Sequence, residues 1–212
     1  VQKSNFKNVV ERTRNRFAYI AHGVTLHIMA VTLRCNHKCR YCHAKSVAMD
    51  EKGFDMDEET AIAATDFAFQ TPSKSFLIEF QGGEPLANFE AIQTVVERSK
   101  ELSKKTGKKP RFNLVSNLSL LSDEKLNFLM ENRFGICTSL DGPKHVHDYN
   151  RRMIGGSSYD SLSKWIGVIK NECKYPLNAL PTITRHSLPF AREIVDEYAT
   201  KGFPVVRGRG LN

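Results

Sequence analysis

Residues 25–43 read TLHIMAVTLRCNHKCRYCH, an apolar run that ends at three closely spaced cysteines. The β-branched and apolar residues of the run 25–33 predict a buried strand. Cys35, Cys39 and Cys42 follow it with Cys-x₃-Cys-x₂-Cys spacing. Thiols this close together are better suited to a metal than to disulfides. The stretch therefore predicts a strand followed directly by a metal-binding loop.

Strand-like and helix-like segments alternate after this loop, which predicts an α/β fold with a mostly parallel sheet. The further predicted strands are Ser75–Gln81, Arg111–Ser116, Phe134–Leu140, Asn178–Thr184 and Phe203–Arg207. The predicted helices are Asp57–Phe69, Asn88–Lys105, Asp123–Asn132, Ser158–Glu172 and Pro189–Thr200. An open doubly wound sheet and a partial (β/α)₆ barrel of the TIM type both accommodate six such units. We favour the barrel, because polar and glycine-rich segments follow four successive strands and converge best on a curved sheet.

The domain organisation is interpreted as one barrel domain over residues 25–212, preceded by an N-terminal extension over 1–24. Hydrophobic residues make up 41% and charged residues 25% of the chain, as in ordinary globular proteins. No apolar run is long enough to cross a bilayer, and the first residues are too polar for a secretory signal. We therefore expect a cytoplasmic protein without a membrane partner.

The spacing of the cysteines leaves two kinds of metal centre open. Three thiolates can hold an iron–sulfur cluster and leave one iron without a protein ligand. The alternative is a zinc site of three cysteines and His43, with His37 as another possible donor. Cys137 and Cys173 lie in an apolar run and near a helix end, and are interpreted as packing residues.

The formal net charge of +8 leaves a zinc-stabilised nucleic-acid-binding module as an alternative class of function. The basic residues are scattered and are not interleaved with aromatic residues. This distribution argues against a nucleic-acid partner.

A second motif, Gly82-Gly83-Glu84-Pro85, directly follows the second predicted strand. Together with the three cysteines and Tyr41 just before the last of them, it resembles the double signature of the radical S-adenosylmethionine superfamily. The resemblance implies a [4Fe–4S] cluster whose open iron is chelated by the amino and carboxylate groups of S-adenosylmethionine. It also implies reductive cleavage to methionine and a 5′-deoxyadenosyl radical, with a donor such as flavodoxin or ferredoxin supplying the electron.

The resemblance further implies a role for particular residues. Cys35, Cys39 and Cys42 would bind the cluster. The residues that would bind S-adenosylmethionine are Tyr41 near the adenine, Gln81 at the methionine part, Gly82, Gly83 and Glu84 with Pro85 at the ammonium group, Asn117 and Ser139 at the ribose or the carboxylate, and Arg151 at the carboxylate. Glycine makes physical sense in this motif because a side chain would block a close approach of the backbone.

Three further phrases narrow the subfamily: VSNLSLL at 115–121, TSLDGP at 138–143 and HDYNRR at 147–152. By themselves, 141–143 predicts an ordinary turn and Arg151 a surface charge. Together the phrases resemble peptide and protein maturases such as anaerobic sulfatase maturases, and most specifically the radical maturase of the His-Xaa-Ser peptide-modification system. This resemblance implies a ribosomally made peptide as substrate, with a folded enzyme such as a sulfatase as the alternative. The family continues into a C-terminal domain with auxiliary clusters, which we expect to be missing here.

Overall fold

The computed structural model describes residues 2–17, 23–203 and 209–210. The strands are β1 Leu26–Thr32, β2 His37–Cys39, β3 Ser75–Gly82, β4 Lys109–Ser116, β5 Gly135–Thr138, β6 Arg151–Met153, β7 Leu177–Ala179, β8 Thr182–Ile183 and β9 Arg209–Gly210. The helices are α1 Gln2–Arg16, α2 Glu58–Ala68, α3 Phe89–Thr106, α4 Asp123–Glu131, α5 Lys144–Asn150, α6 Ser158–Gly167 and α7 Ala191–Thr200.

Five of these strands form one parallel sheet in the order β1-β3-β4-β5-β7. Side chains alternate between its two faces, as the pleat requires. One face carries buried residues such as Val31, Ile78 and Leu114, which share a core with the apolar sides of α2, α3, α4 and α6. The other face carries Ile28 and Gln81, which line a cavity. The predicted α/β class is confirmed, and the sheet is consistent with a partial barrel.

Local chemistry explains where two of the predicted helices begin. The Asp57 side chain accepts a hydrogen bond from the backbone N–H of Thr60, and Ser122 accepts one from Lys125. Each side chain satisfies an amide that has no partner within its own helix. Helices α2 and α4 therefore begin one residue after these caps, close to the predicted boundaries.

The predicted strand Asn178–Thr184 is divided into β7 and β8. Pro181 lies between them and has no N–H to donate to a ladder. The next amide, of Thr182, donates to the Asp141 side chain at 2.9 Å instead of to a neighbouring strand. The predicted helix Ser158–Glu172 likewise changes character, because its last turn, Val168–Glu172, is a π-helix.

Several elements were not predicted. Helix α1 lies in the segment interpreted as an extension, α5 follows the presumed turn at 141–143, and β2 pairs with β6 as a short antiparallel ribbon. The predicted sixth strand, Phe203–Arg207, lies outside the described residues except for Phe203, while β9 just beyond it pairs in parallel with β8. The domain boundary at residue 25 stays a prediction.

Across the described ranges, no helix combines the length and the apolar character needed to cross a membrane.

Candidate active site

A cavity of about 450 Å³ lies at the carboxyl edge of the sheet. Its walls include almost all the residues predicted to bind the cluster or S-adenosylmethionine: Cys35, Cys39, Tyr41, Cys42, Gln81, Gly82, Gly83, Glu84, Asn117, Ser139 and Arg151. Ile28, Ala30 and Val115 from β1 and β4 complete the side that the sheet contributes. Pro85 directly follows Glu84, is buried and begins a 3₁₀ turn, and its predicted contact stays a prediction. The tertiary structure thus brings both sequence motifs to one site.

The cysteine loop is anchored at its start by Arg34. This buried guanidinium makes two hydrogen bonds to Asp55, at 2.8 and 2.6 Å, and donates to the carbonyl groups of Met49 and Ala87. Thr32 also donates to Asp55, at 2.6 Å. Partial burial raises the pKa of Asp55, but the hydrogen bonds from Arg34 and Thr32 outweigh it and hold that pKa below its ordinary value. Sequence reasoning missed this pair, although an arginine directly after a buried strand was a signal for it.

The far side of the loop is anchored by the β2–β6 ribbon. Cys39 lies opposite Arg151 in its register, and the N–H of Arg40 donates to the carbonyl of Asn150 at 2.9 Å. Alternation along β2 turns His37 and Cys39 to one face and Lys38 to the other. The face with Cys39 is the one that lines the cavity, and His37 also lies on its wall.

The three thiols differ in their electrostatic surroundings. Burial raises the pKa of Cys35 to about 12 and also raises the pKa of Cys39. Burial acts in the same direction on Cys42, but hydrogen bonds from the Ser46 side chain and from the amides of residues 44–46 lower its pKa overall. A metal centre would supply the positive charge that stabilises all three as thiolates.

The donor set fits an iron–sulfur cluster. Cys35, Cys39 and Cys42 are three soft sulfur donors on one cavity wall, and each can bind a different iron of a cluster. Within the part of the chain that the structure describes, no three His, Cys, Asp or Glu side chains are arranged to hold a single metal ion. Thiols that bind separate irons do not need to converge in that way.

A buried carboxylate, Asp141, lies three residues after β5 and holds several residues of the cavity wall. It accepts hydrogen bonds from the Tyr41 hydroxyl, from Arg151 at 3.1 Å, from Asn150 at 3.2 Å and from the backbone of Thr182 at 2.9 Å. Burial raises the pKa of Tyr41, so its hydroxyl remains protonated and can donate. The segment 141–143, which by itself predicted an ordinary turn, therefore carries the centre of a polar network.

Arg151 is a buried part of this network and not a surface charge. It forms an ion pair with Asp141, and its guanidinium lies 5.2 Å from the centre of the Tyr41 ring. A buried charge is stable only when it is paired. Its Nε has no hydrogen-bond partner in the structure. The predicted contact of Arg151 with the carboxylate of S-adenosylmethionine stays a prediction.

Glu84 is also held by the protein. Its carboxylate accepts from the Ser116 hydroxyl at 2.7 Å and from the amides of Asn117 and Leu86 at 2.8 and 3.1 Å. Burial raises the pKa of Glu84 despite these bonds. Three donors leave part of its accepting capacity unused. Its predicted contact with the ammonium group stays a prediction.

The glycines before Glu84 are required by the protein's own backbone. A Cβ on Gly82, whose φ is 148°, would lie 2.1 Å from the carbonyl oxygen of Thr32. A Cβ on Gly83 would lie 2.5 and 2.4 Å from the carbonyl oxygens of Leu33 and Arg34. The close approach that calls for glycine is therefore to the start of the cysteine loop. The sequence interpretation had explained the glycines by a close approach to S-adenosylmethionine, and that contact stays a prediction.

Asn117, directly after β4, connects the end of that strand to the cysteine loop. Its Nδ2 donates to Asn36 at 3.3 Å, and its backbone N–H donates to Glu84. Asn36 and Ser119, which were not predicted as site residues, hydrogen-bond to each other at 2.8 Å. Ser139 lies on the cavity wall, where its amide donates to the Ser116 carbonyl at 3.3 Å. These bonds fix the segments that directly follow β4 and β5 at the cavity.

The fold and this site define a radical S-adenosylmethionine enzyme. The sequence matches the Radical SAM superfamily over residues 29–199, and the chain belongs to that superfamily. Its cofactors are a [4Fe–4S] cluster and S-adenosylmethionine, as resemblance to the superfamily had implied. The superfamily assignment replaces the zinc-stabilised nucleic-acid-binding alternative.

Among its relatives are maturases. The chain is 27% identical over 184 residues to a cysteine-type anaerobic sulfatase-maturating enzyme of Clostridium perfringens, covering 85% of this chain and 50% of that enzyme. A solved structure of native anSMEcpe with bound AdoMet and Cp18Cys peptide is similar with a TM-score of 0.77 and 25% identity, covering 88% of this chain and 50% of that one. SuiB of Streptococcus suis, solved with its precursor peptide SuiA, shares the fold at a TM-score of 0.66 and 15% identity, covering 97% and 45%.

The chain thus spans about half the length of these relatives. It is a radical S-adenosylmethionine enzyme related to sulfatase maturases, and the predicted family is confirmed.

Proposed function

We propose that this chain is the radical-generating part of a maturase that modifies a ribosomally made peptide. Cys35, Cys39 and Cys42 hold the cluster. When bound, the reduced cluster supplies the electron for cleavage of S-adenosylmethionine to methionine and a 5′-deoxyadenosyl radical. The observation that carries the proposal is that the three thiols and the motif that begins at Gly82 lie on the walls of the same cavity.

The protein's part in this chemistry is to hold and orient S-adenosylmethionine. The residues proposed to contact it are Tyr41, Gln81, Gly82, Gly83, Glu84, Asn117, Ser139 and Arg151, with Pro85 supporting them. Asp141 restrains two of these side chains, Tyr41 and Arg151, before any ligand binds. Such preorganisation reduces the conformational entropy that binding would otherwise cost.

The substrate class rests on the relatives. The anSMEcpe structure was solved with a peptide, which supports a peptide or protein segment as the partner of this chain. A sulfatase is the second candidate substrate, because the Clostridium perfringens relative matures sulfatases, as its name states. A small electron-transfer protein of the flavodoxin or ferredoxin type is proposed as the reductant.

The test uses the chain purified and reconstituted with iron and sulfide without oxygen. Reduced with dithionite and given S-adenosylmethionine, it should form 5′-deoxyadenosine and methionine in equal amounts, measured by mass spectrometry. A synthetic peptide with a His-Xaa-Ser repeat and a peptide from a sulfatase active site are then compared as substrates. Modification of the sulfatase peptide alone would favour the second candidate. Iron-loaded protein that forms no 5′-deoxyadenosine would contradict the proposed function.

A further inference from the structure

Gln81 and Glu79 lie two residues apart on β3 and therefore project from the same face of the sheet. Gln81 lines the cavity, and its Nε2 donates a hydrogen bond of 2.5 Å to Oε1 of Glu79. Glu79 was not singled out by the sequence motifs. Because Glu79 accepts a hydrogen bond from Gln81, a proposed cofactor contact, it can control how the Gln81 amide is oriented.

A second amide holds Glu79 from the neighbouring strand. Asn113 lies opposite Glu79 in the parallel register of β3 and β4, and its Nδ2 donates to Oε2 of Glu79 at 2.7 Å. On the other side of Asn113, Gly135 of β5 lies opposite it in the parallel register of β4 and β5. A Cβ there would lie 2.6 Å from Oδ1 of Asn113, so glycine provides the room that this side chain occupies. Each carboxylate oxygen of Glu79 thus accepts one hydrogen bond from a side-chain amide.

An ionised carboxylate can only accept hydrogen bonds. Both neighbouring amides must therefore turn their NH₂ groups toward Glu79, and their carbonyl oxygens away from it. The geometry points to Glu79 as a positioning residue that makes Gln81 a hydrogen-bond acceptor toward the cavity. The inference rests on the proposed function and adds the polarity of one contact. The group of S-adenosylmethionine that meets Gln81 must be a donor, either its ammonium group or a ribose hydroxyl.

Exchanging the two side chains gives a sharp test of this polarity. With Asn113 in its present orientation, the new amide in Glu79→Gln accepts from it with its oxygen, so the NH₂ of the new amide faces position 81. Gln81 must then flip, and it presents its own NH₂ to the cavity. In the double variant Glu79→Gln/Gln81→Glu, the new carboxylate at 81 accepts from Gln at 79 and again offers only acceptor oxygens to the cavity.

The measurement is a titration of the reduced cluster's electron paramagnetic resonance spectrum with S-adenosylmethionine. We expect Glu79→Gln to weaken binding by about tenfold, since one misdirected hydrogen bond corresponds to about 1.4 kcal/mol. We expect the double variant to recover most of that loss. Iron content and the unfolding midpoint should match those of Glu131→Gln, a control at the exposed end of α4.

Wild-type affinity in Glu79→Gln, or a double variant that binds more weakly than it, would overturn the inference. If Glu79→Gln does not fold, Gln81→Met takes its place, and unchanged affinity in that variant would overturn the contact itself. A wild-type protein that loads iron but shows no spectral change with S-adenosylmethionine would instead contradict the proposed function. The two failures are thereby distinguished.

Discussion

Cys39 lies directly opposite Arg151 in the antiparallel ribbon of β2 and β6. The loop proposed to hold the cluster is therefore fastened by its backbone to the segment that carries a proposed S-adenosylmethionine contact. Arg151 in turn is paired with Asp141, which also accepts a hydrogen bond from Tyr41. Residues from two distant parts of the chain consequently form one unit. A substitution in either part should therefore disturb the structure of the other.

Alanine at Cys35, Cys39 or Cys42 is expected to remove the cluster, because these three thiols are its proposed protein ligands and two would hold it poorly. Iron content and visible absorption after anaerobic reconstitution measure this loss. Cys173→Ala is the matched control, since Cys173 is exposed near the end of a π-helix, away from the cavity wall. A single cysteine variant with full iron content would contradict the assignment of its thiol.

Asp141→Asn is expected to destabilise the fold by about 3–5 kcal/mol, because it leaves the buried charge of Arg151 without its partner. Urea unfolding of the metal-free protein gives the free energy of unfolding. The double variant Asp141→Asn/Arg151→Met removes both charges and should lose less than the sum of the single changes. Strictly additive losses would show that the pair does not interact energetically.

Gly83→Val is expected to lower iron content as well as S-adenosylmethionine binding. If the motif contacted only S-adenosylmethionine, as the resemblance implies, the cluster would survive this change. The added side chain would instead collide with the carbonyl groups of Leu33 and Arg34, next to Cys35. Gly53→Ala is the control, because a Cβ at Gly53 meets no atom within 4 Å. Full iron content in Gly83→Val would show that this collision does not displace the cysteine loop.

Acid is expected to destabilise the protein through His147. Burial, with a further contribution from Arg151, lowers its pKa from 6.5 to about 3 in the folded protein. Below pH 6.5 the unfolded chain binds a proton that the folded chain does not, so stability falls as the pH drops toward 3. The slope for one such group approaches about 1.4 kcal/mol per pH unit.

His147→Asn retains an acceptor near the amide of Asp141, which donates to His147 Nδ1 at 3.2 Å. We expect this variant to show a shallower loss of stability between pH 6 and pH 4 in urea unfolding. Part of the slope should persist, because burial also lowers the pKa of His37 to about 4. Identical slopes in the two proteins would contradict the role of His147.

Much of the fold was predictable from local patterns. The apolar runs of β1 and β3 and the capped starts of α2 and α4 carry their structure in neighbouring residues, and they were predicted to within a few residues. The ribbon of β2 and β6 was not predictable in this way. Its strands have three residues each, which is too short for a periodic pattern. They lie more than 100 residues apart in sequence and come together only when the chain folds.

By itself, the sequence determined the alternation of strands and helices, the spacing of three thiols and the glycine motif that together identify the superfamily. These features are encoded in short stretches, where residue type and spacing dictate local structure. Only the tertiary structure decided which side chains restrain the site. Tyr41 meets Asp141 across 100 positions of sequence, and Arg34 meets Asp55 across 21. Such pairs form when separate segments pack together, and no local periodicity records them.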